Sequence, residues 1–144
     1  MLTVAEASER ILAEIRPLGV ERVALRQALG RVCAEDISAK VTMPPWSNSS
    51  MDGYAVRSAD ITAVMSGERV KLKVVATIAA GEFAPRALRR GEAMRIMTGA
   101  PVPDGADSVI RKEDTDGGKK AVEIRDARDV WKNIRQAGED FQRG

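Results

Sequence analysis

The run Pro44-Pro45-Trp46-Ser47-Asn48-Ser49-Ser50-Met51-Asp52-Gly53-Tyr54-Ala55 sets a carboxylate on a glycine turn, behind two prolines and a row of hydroxyls. Asp-Gly between extended segments is first of all a tight-turn signature, because glycine accepts positive φ and an aspartate side chain bonds its own backbone. The same residues also meet the requirements of a site. Glycine at 53 lacks the Cβ that would keep another backbone away, and Ser49 and Ser50 supply hydroxyls able to hold the carboxylate or an incoming oxyanion. A carboxylate held in that way serves as a metal ligand or a base. Local chemistry leaves the turn and the site side by side.

Two further stretches have the same character. Arg95-Ile96-Met97-Thr98-Gly99-Ala100-Pro101-Val102-Pro103-Asp104-Gly105 ends an apolar run on a hydroxyl, a glycine and a proline-stiffened loop. Thr98-Gly99-Ala100 offers successive backbone amides in a bend, a concavity suited to anions; the plainer reading is an edge strand running into a turn. Asn133-Ile134-Arg135-Gln136-Ala137-Gly138-Glu139-Asp140-Phe141 places an arginine among acids. Arg135 either clamps an oxyanion or pairs with Glu139 or Asp140.

Around these stretches, β-branched residues with Gly and Pro punctuation predict strands over 53–57, 70–78, 93–97, 108–112 and 121–125, a pattern that suits a small barrel or twisted sheet. Asp114-Thr115-Asp116-Gly117 opens like a calcium loop. Gly118 and Lys119 then stand where that loop needs an Asp or Asn and its glycine, so the segment reads as a hairpin tip. Upstream, Thr3-Val4-Ala5-Glu6 is a capping box. The apolar stripe Val4, Ala7, Ile11 and Ile15 predicts a helix ending near residue 16, ahead of Pro17. Short strands are expected over 21–25 and 31–37, one helical turn over 26–29, and a short helix over 58–65.

Composition narrows the chemistry. The 144 residues suffice for a core without staples. A net charge of +2 does not make the basic stripe of a nucleic-acid binder, and Arg86, Arg89 and Arg90 read as a solvated cluster. The single cysteine, Cys33, excludes an internal disulfide and suits a reducing compartment, so cytoplasm is the expected location. No apolar run reaches membrane-spanning length. The count of zero histidines excludes Ser-His-Asp chemistry and imidazole metal sites. What remains is carboxylate, hydroxyl and guanidinium chemistry, with Mg²⁺ as the natural cation. Trp46 and Trp131 read as core or interface anchors ahead of the alternative, stacking platforms.

The three stretches, in this order and spacing, with Leu29-Gly30-Arg31-Val32 leading into Ala34-Glu35-Asp36-Ile37, resemble the N-terminal part of the molybdopterin molybdenumtransferases, the MoeA and gephyrin E-domain family. The resemblance runs over nearly the whole chain. It implies an α+β, β-rich fold: a small twisted sheet or barrel over 46–125, inserted in a mixed α/β segment of 21–45 and 126–144. A helix within 1–20 packs, in the family, on a molybdopterin-binding domain that this sequence does not contain. The implied activity is insertion of molybdate into adenylylated molybdopterin with release of AMP, by a homodimer using Mg²⁺. The chain would supply one wall of the cleft and be inactive alone.

By the same resemblance Asp52 matches the functional aspartate of the family's MDGYA motif, as catalytic residue and Mg²⁺ ligand. Thr98 matches a threonine near the bound cofactor. Asp140 and Ser49 stand as further binding residues, and Glu113 as a retained acid with a structural role. Gephyrin relatives imply the alternative of a noncatalytic assembly module. Ser47 occupies a position where many relatives carry an acid, which puts cation affinity in question.

Overall fold

The structure, a computed structural model, describes residues 2–144. The chain divides into two compact units, one running to Ile37 and the other spanning Ser38–Gly144.

In the first unit, helix α1 (Val4–Glu14) starts at the capping box: the Thr3 hydroxyl accepts the Glu6 N–H while the Thr3 N–H donates to Glu6 Oε2 at 2.7 Å. The chain turns extended at Ile15, just before the Arg16-Pro17 pair that would have disfavoured another helical residue. Beyond it, the strands expected over 21–25 and 31–37 do not form. The only regular element there is a 3-10 turn, Leu25–Gln27. A strand exists only beside a partner, and among the described residues of this unit no stretch pairs with another. Its apolar side chains stay in solvent, Ile11 63% and Leu29 96% exposed.

The second unit is built on a five-stranded mixed sheet of β2 (Gly53–Val56), β3 (Val70–Ile78), β4 (Glu92–Ile96), β5 (Ser108–Arg111) and β6 (Ala121–Ile124). The order is β5-β2-β4-β3-β6, with β3 and β4 parallel and the other pairs antiparallel. Between Val74 and Ala76 the register of β3 against β4 shifts by one residue, and such a bulge sharpens twist and bends the strand. The sheet therefore curls into a half-barrel. Across its open side, beyond β5, the chain reaches the far edge: Thr115 bridges Ile124, and the Asp116 N–H donates to the Glu123 carbonyl at 3.2 Å.

Inside the curl pack Tyr54, Val56, Leu72, Ala93, Ile110, Val122 and Ile124, joined by Ile61 and Val64 from two 3-10 turns, Ser58–Asp60 and Thr62–Ser66. Those turns replace the single helix expected over 58–65, and neither Ser58 nor Asp60 caps one with its side chain. The opposite face of the sheet is covered as well, by Ile78, Leu88, Met94, Ile96, Ala100 and Val109. Because both faces are dry, β2 is buried at every position instead of alternating. The Tyr54 hydroxyl donates to the Gly118 carbonyl at 3.0 Å, tying β2 to the hairpin tip before β6. A second, two-stranded sheet pairs β1 (Asn48–Ser49) with β7 (Ile134–Arg135).

Candidate functional site

Antiparallel pairing of β2 with β4 sets Gly53 opposite Ile96, so the residue entering β2 and the residues leaving β4 meet at the same end of the sheet. There Asp52 Oδ1 accepts the Thr98 N–H at 2.8 Å and the Thr98 hydroxyl at 2.7 Å. The carboxylate thus bonds a partner 46 positions away, not its own turn. Gly53 serves close approach: a Cβ built on it would lie 2.0 Å from the Ile110 carbonyl oxygen of β5. The glycine is required by the sheet, and the carboxylate is thereby delivered to the sheet's rim.

Asp52 is exposed, and the Thr98 backbone N–H first, its hydroxyl second, hold its carboxyl below the usual carboxylate range. Arg95 and Lys112 push the same way more weakly. Both strong donors sit on Oδ1; among the described residues Oδ2 accepts no hydrogen bond. That oxygen keeps its bonding capacity to spare.

Two expectations about donors need correcting. Ser49 is buried and its hydroxyl donates to the Met51 carbonyl at 2.6 Å, so it shapes the bend and does not hold the carboxylate. Nor is Thr98-Gly99-Ala100 an anion nest. The Thr98 N–H goes to Asp52, the Gly99 N–H to the Ser49 carbonyl at 2.8 Å, and the Ala100 N–H to the Met97 carbonyl at 3.0 Å. Every amide of the bend is consumed in fixing it. The bend therefore offers no free N–H to an anion, and the carboxylate it holds has Arg95 and Lys112 near it.

Arg135 pairs with both acids, its Nε with Glu139 Oε1 and its Nη2 with Asp140 Oδ1, each at 2.6 Å. Asp140 is placed by that pair, and Arg135 itself lines an open cleft of about 400 Å³ with Met43, Pro44, Pro45, Trp46, Asn48, Ser49, Ser50, Thr98 and Gly99. Thr98, Ser49 and Arg135 thus line one cleft; Asp52 is joined to it through Thr98 and Asp140 through Arg135, neither carboxylate being part of the lining. Glu113 lies apart, exposed in the 3-10 turn Lys112–Asp114. Ser47 is engaged with the third stretch: its hydroxyl donates to Gln136 and accepts the Ala137 N–H, both at 3.2 Å. A larger hollow of about 590 Å³ curls over residues 33–37, but every residue lining it is exposed, as in a bend of extended chain, and we place the site at the cleft. Sequence reasoning did not assign Asn48 or Trp46 to a cleft wall; the prolines flanking them were the available signal.

Residues 2–144 match the family model of the MoeA N-terminal region, domains I and II. The chain belongs to this family. Molybdopterin molybdenumtransferase of Synechococcus elongatus is 38% identical over 147 residues, covering 100% of this chain and 36% of the relative. Molybdopterin molybdenumtransferase 2 of Mycobacterium tuberculosis is 41% identical over 140 residues, covering 94% and 34%. The crystal structure of the molybdopterin biosynthesis MoeA protein from Pyrococcus horikoshii OT3 superposes with a TM-score of 0.75 at 33% identity, over 86% of this chain and 33% of that one. The chain spans about a third of the length of these MoeA relatives.

Proposed function

We propose that this chain is the N-terminal part of a molybdopterin molybdenumtransferase, acting in a homodimer that inserts molybdate into adenylylated molybdopterin with release of AMP. The observation that carries this reading is the clasp of Asp52 by Thr98 at the rim of the sheet, in a chain that belongs to the MoeA N-terminal region family. Asp52 is the catalytic carboxylate: Oδ1 takes both Thr98 donors, Oδ2 has no hydrogen-bond partner among the described residues, and the Thr98 N–H and hydroxyl hold the carboxyl below the usual carboxylate range.

Among the described residues no three acidic, cysteine or histidine side chains cluster as a ready cation cage. Mg²⁺ does not need one, since it usually takes one or two carboxylates and fills its shell with water and substrate phosphate oxygens. Asp52 Oδ2 fits that role; when bound, the ion would offset phosphate charge as AMP leaves. Thr98 holds the Asp52 carboxylate in place, and Arg135, which lines the cleft, holds Asp140 by an ion pair. In this reading residues 1–144 form one wall of the working cleft and do not turn over alone.

The test is Asp52→Asn in the natural full-length protein. Asparagine keeps an Oδ1 acceptor for both Thr98 donors, so the fold and melting temperature should persist. Losing the charge should lower AMP release by about tenfold to ten-thousandfold, the range of a positioned acid–base or charge-bearing group. Wild-type turnover in that variant overturns the assignment.

A further inference from the structure

The cleft that Thr98 lines is also lined by an aromatic side chain, Trp46, whose purpose is not met by the Asp52 chemistry. Trp46 is 37% exposed and packs edge-to-face against Phe83, ring centroids 5.0 Å apart and planes at 66°. Phe83 is itself 65% exposed, so the pair does not fill the core. The chain has only two tryptophans and two phenylalanines, and here one tryptophan lines the cleft with one phenylalanine packed on it. The backbone under Trp46 is fixed on both sides: the Gly138 N–H donates to the Pro44 carbonyl at 2.8 Å and the Val102 N–H to the Ser47 carbonyl at 3.0 Å. The backbone that carries the indole is thus fixed in advance of any ligand, and Phe83 packs on the ring, which lowers the cost of ordering a stacking surface.

Next to it stand polar groups with nothing to do inside the protein. Among the described residues the Asn48 side-chain amide and the Ser50 hydroxyl make no hydrogen bond, yet both line the cleft. Ser49 and Thr98, by contrast, are committed internally. A rigid aromatic face beside an uncommitted amide and hydroxyl suits a flat ring with donors and acceptors on its edge, and a volume of about 400 Å³ lies within the range of small-molecule sites.

We propose that Trp46 stacks the planar heteroaromatic ring of the substrate, with Asn48 and Ser50 meeting the ring's edge. This rests on the function proposed above, whose substrate carries two such rings, a nucleobase and a pterin. The ring chemistry is shared, and experiment separates the two. Trp46 is a binding residue here; it takes no part in bond breaking.

The experiment is calorimetric titration of the natural full-length protein with AMP, with neopterin and with ribose 5-phosphate, comparing wild type with Trp46→Ala, Trp46→Leu and Trp46→Phe. Stacking on an aromatic side chain is worth about 1–3 kcal/mol per ring. Trp46→Ala and Trp46→Leu should therefore weaken one of the two ring ligands roughly 5- to 150-fold and leave ribose 5-phosphate unchanged, while Trp46→Phe restores most of the affinity. Loss confined to AMP assigns the nucleobase, and loss confined to neopterin the pterin. Should Trp46→Ala fail to fold, Trp46→Leu fills the volume without a π face and gives the same answer. Unchanged binding of both ring ligands, or equal loss of ribose 5-phosphate, overturns the proposal. Asp52→Asn keeps the outcomes apart: if that variant loses AMP release while Trp46→Leu binds normally, the stacking fails and the enzymatic reading stands.

Discussion

Asp52 and Gly53 divide the labour of the motif between charge and space. The carboxylate is held from 46 positions away by Thr98, and the glycine admits β5 to within van der Waals range of β2. Gly53→Ala places a methyl group 2.0 Å from the Ile110 carbonyl, which is backbone and cannot rotate aside. The strands must separate, and the expected cost is about 3 kcal/mol, at the upper end of ordinary overpacking. A urea titration measures it; an unchanged midpoint would mean that β5 does not pair as described. Thr98→Ala removes only the hydroxyl and leaves the backbone N–H in place. Since both donors lower the Asp52 carboxyl, losing one should raise its titration point part of the way back toward 3.8, followed by carbon-13 NMR of the side chain. The Asp-Gly pair could be read in the sequence as a turn or a site, but the identity of the holding group could not. No local rule connects residue 52 to residue 98; strand register does.

At the level of elements, the strands of the half-barrel were legible where alternation, β-branched residues and turn punctuation coincided. Strand β3 occupies 70–78 as expected, and the other four expected strands form with their ends shifted by a residue or so. The stretches 21–25 and 31–37 carry similar residues, with Val23 and Leu25 spaced as on one face of a strand, yet no pairing partner forms for them in their unit. Pattern reports what a segment could do; partnership decides whether it does. The same distinction predicts dynamics. Helix α1 has 11 residues, a capping box and no buried residue, and isolated helices shorter than about 12–15 residues are marginal in water. In the 144-residue chain, amides of α1 should therefore exchange with solvent within seconds to minutes, while those of β2 and β4, buried on both faces, exchange at the rate of global unfolding. Hydrogen-exchange mass spectrometry separates the two. Protection of α1 equal to that of β2 would show that its apolar stripe is covered in solution.

For the molecule as a whole, the absence of histidine shapes the dependence of stability on pH. The shifted carboxylates all move down: Glu6 through the Thr3 N–H and then its hydroxyl, Asp52 through Thr98, Asp116 through the Glu123 and Gly118 amides, Glu92 through Arg86, Glu139 through Arg135, and Asp126 through the Arg128 side chain and then its N–H, to about 2. A group depressed in the folded state favours folding above its unfolded value and loses that contribution as pH falls through its folded value. The unfolded values are 3.8 for the aspartates and 4.5 for the glutamates, so the loss begins near 4.5 and continues to about 2, where Asp126 titrates. Tyr54 works at the other end. Burial raises its phenol above 10.0, so its contribution is present below that value and disappears as pH rises past it. With no imidazole between these limits, the melting temperature should be level from about pH 5 to 9 and fall on both sides. The acid limb should flatten in high salt to the extent that it comes from exposed ion pairs such as Arg86–Glu92, which salt screens. The part due to Asp52 and Asp116 should persist, because neutral N–H and O–H donors hold those groups. Scanning calorimetry across pH at low and high salt checks both points, and a melting temperature independent of pH down to 2 would show that these carboxylates are no better held in the folded protein than in the unfolded chain.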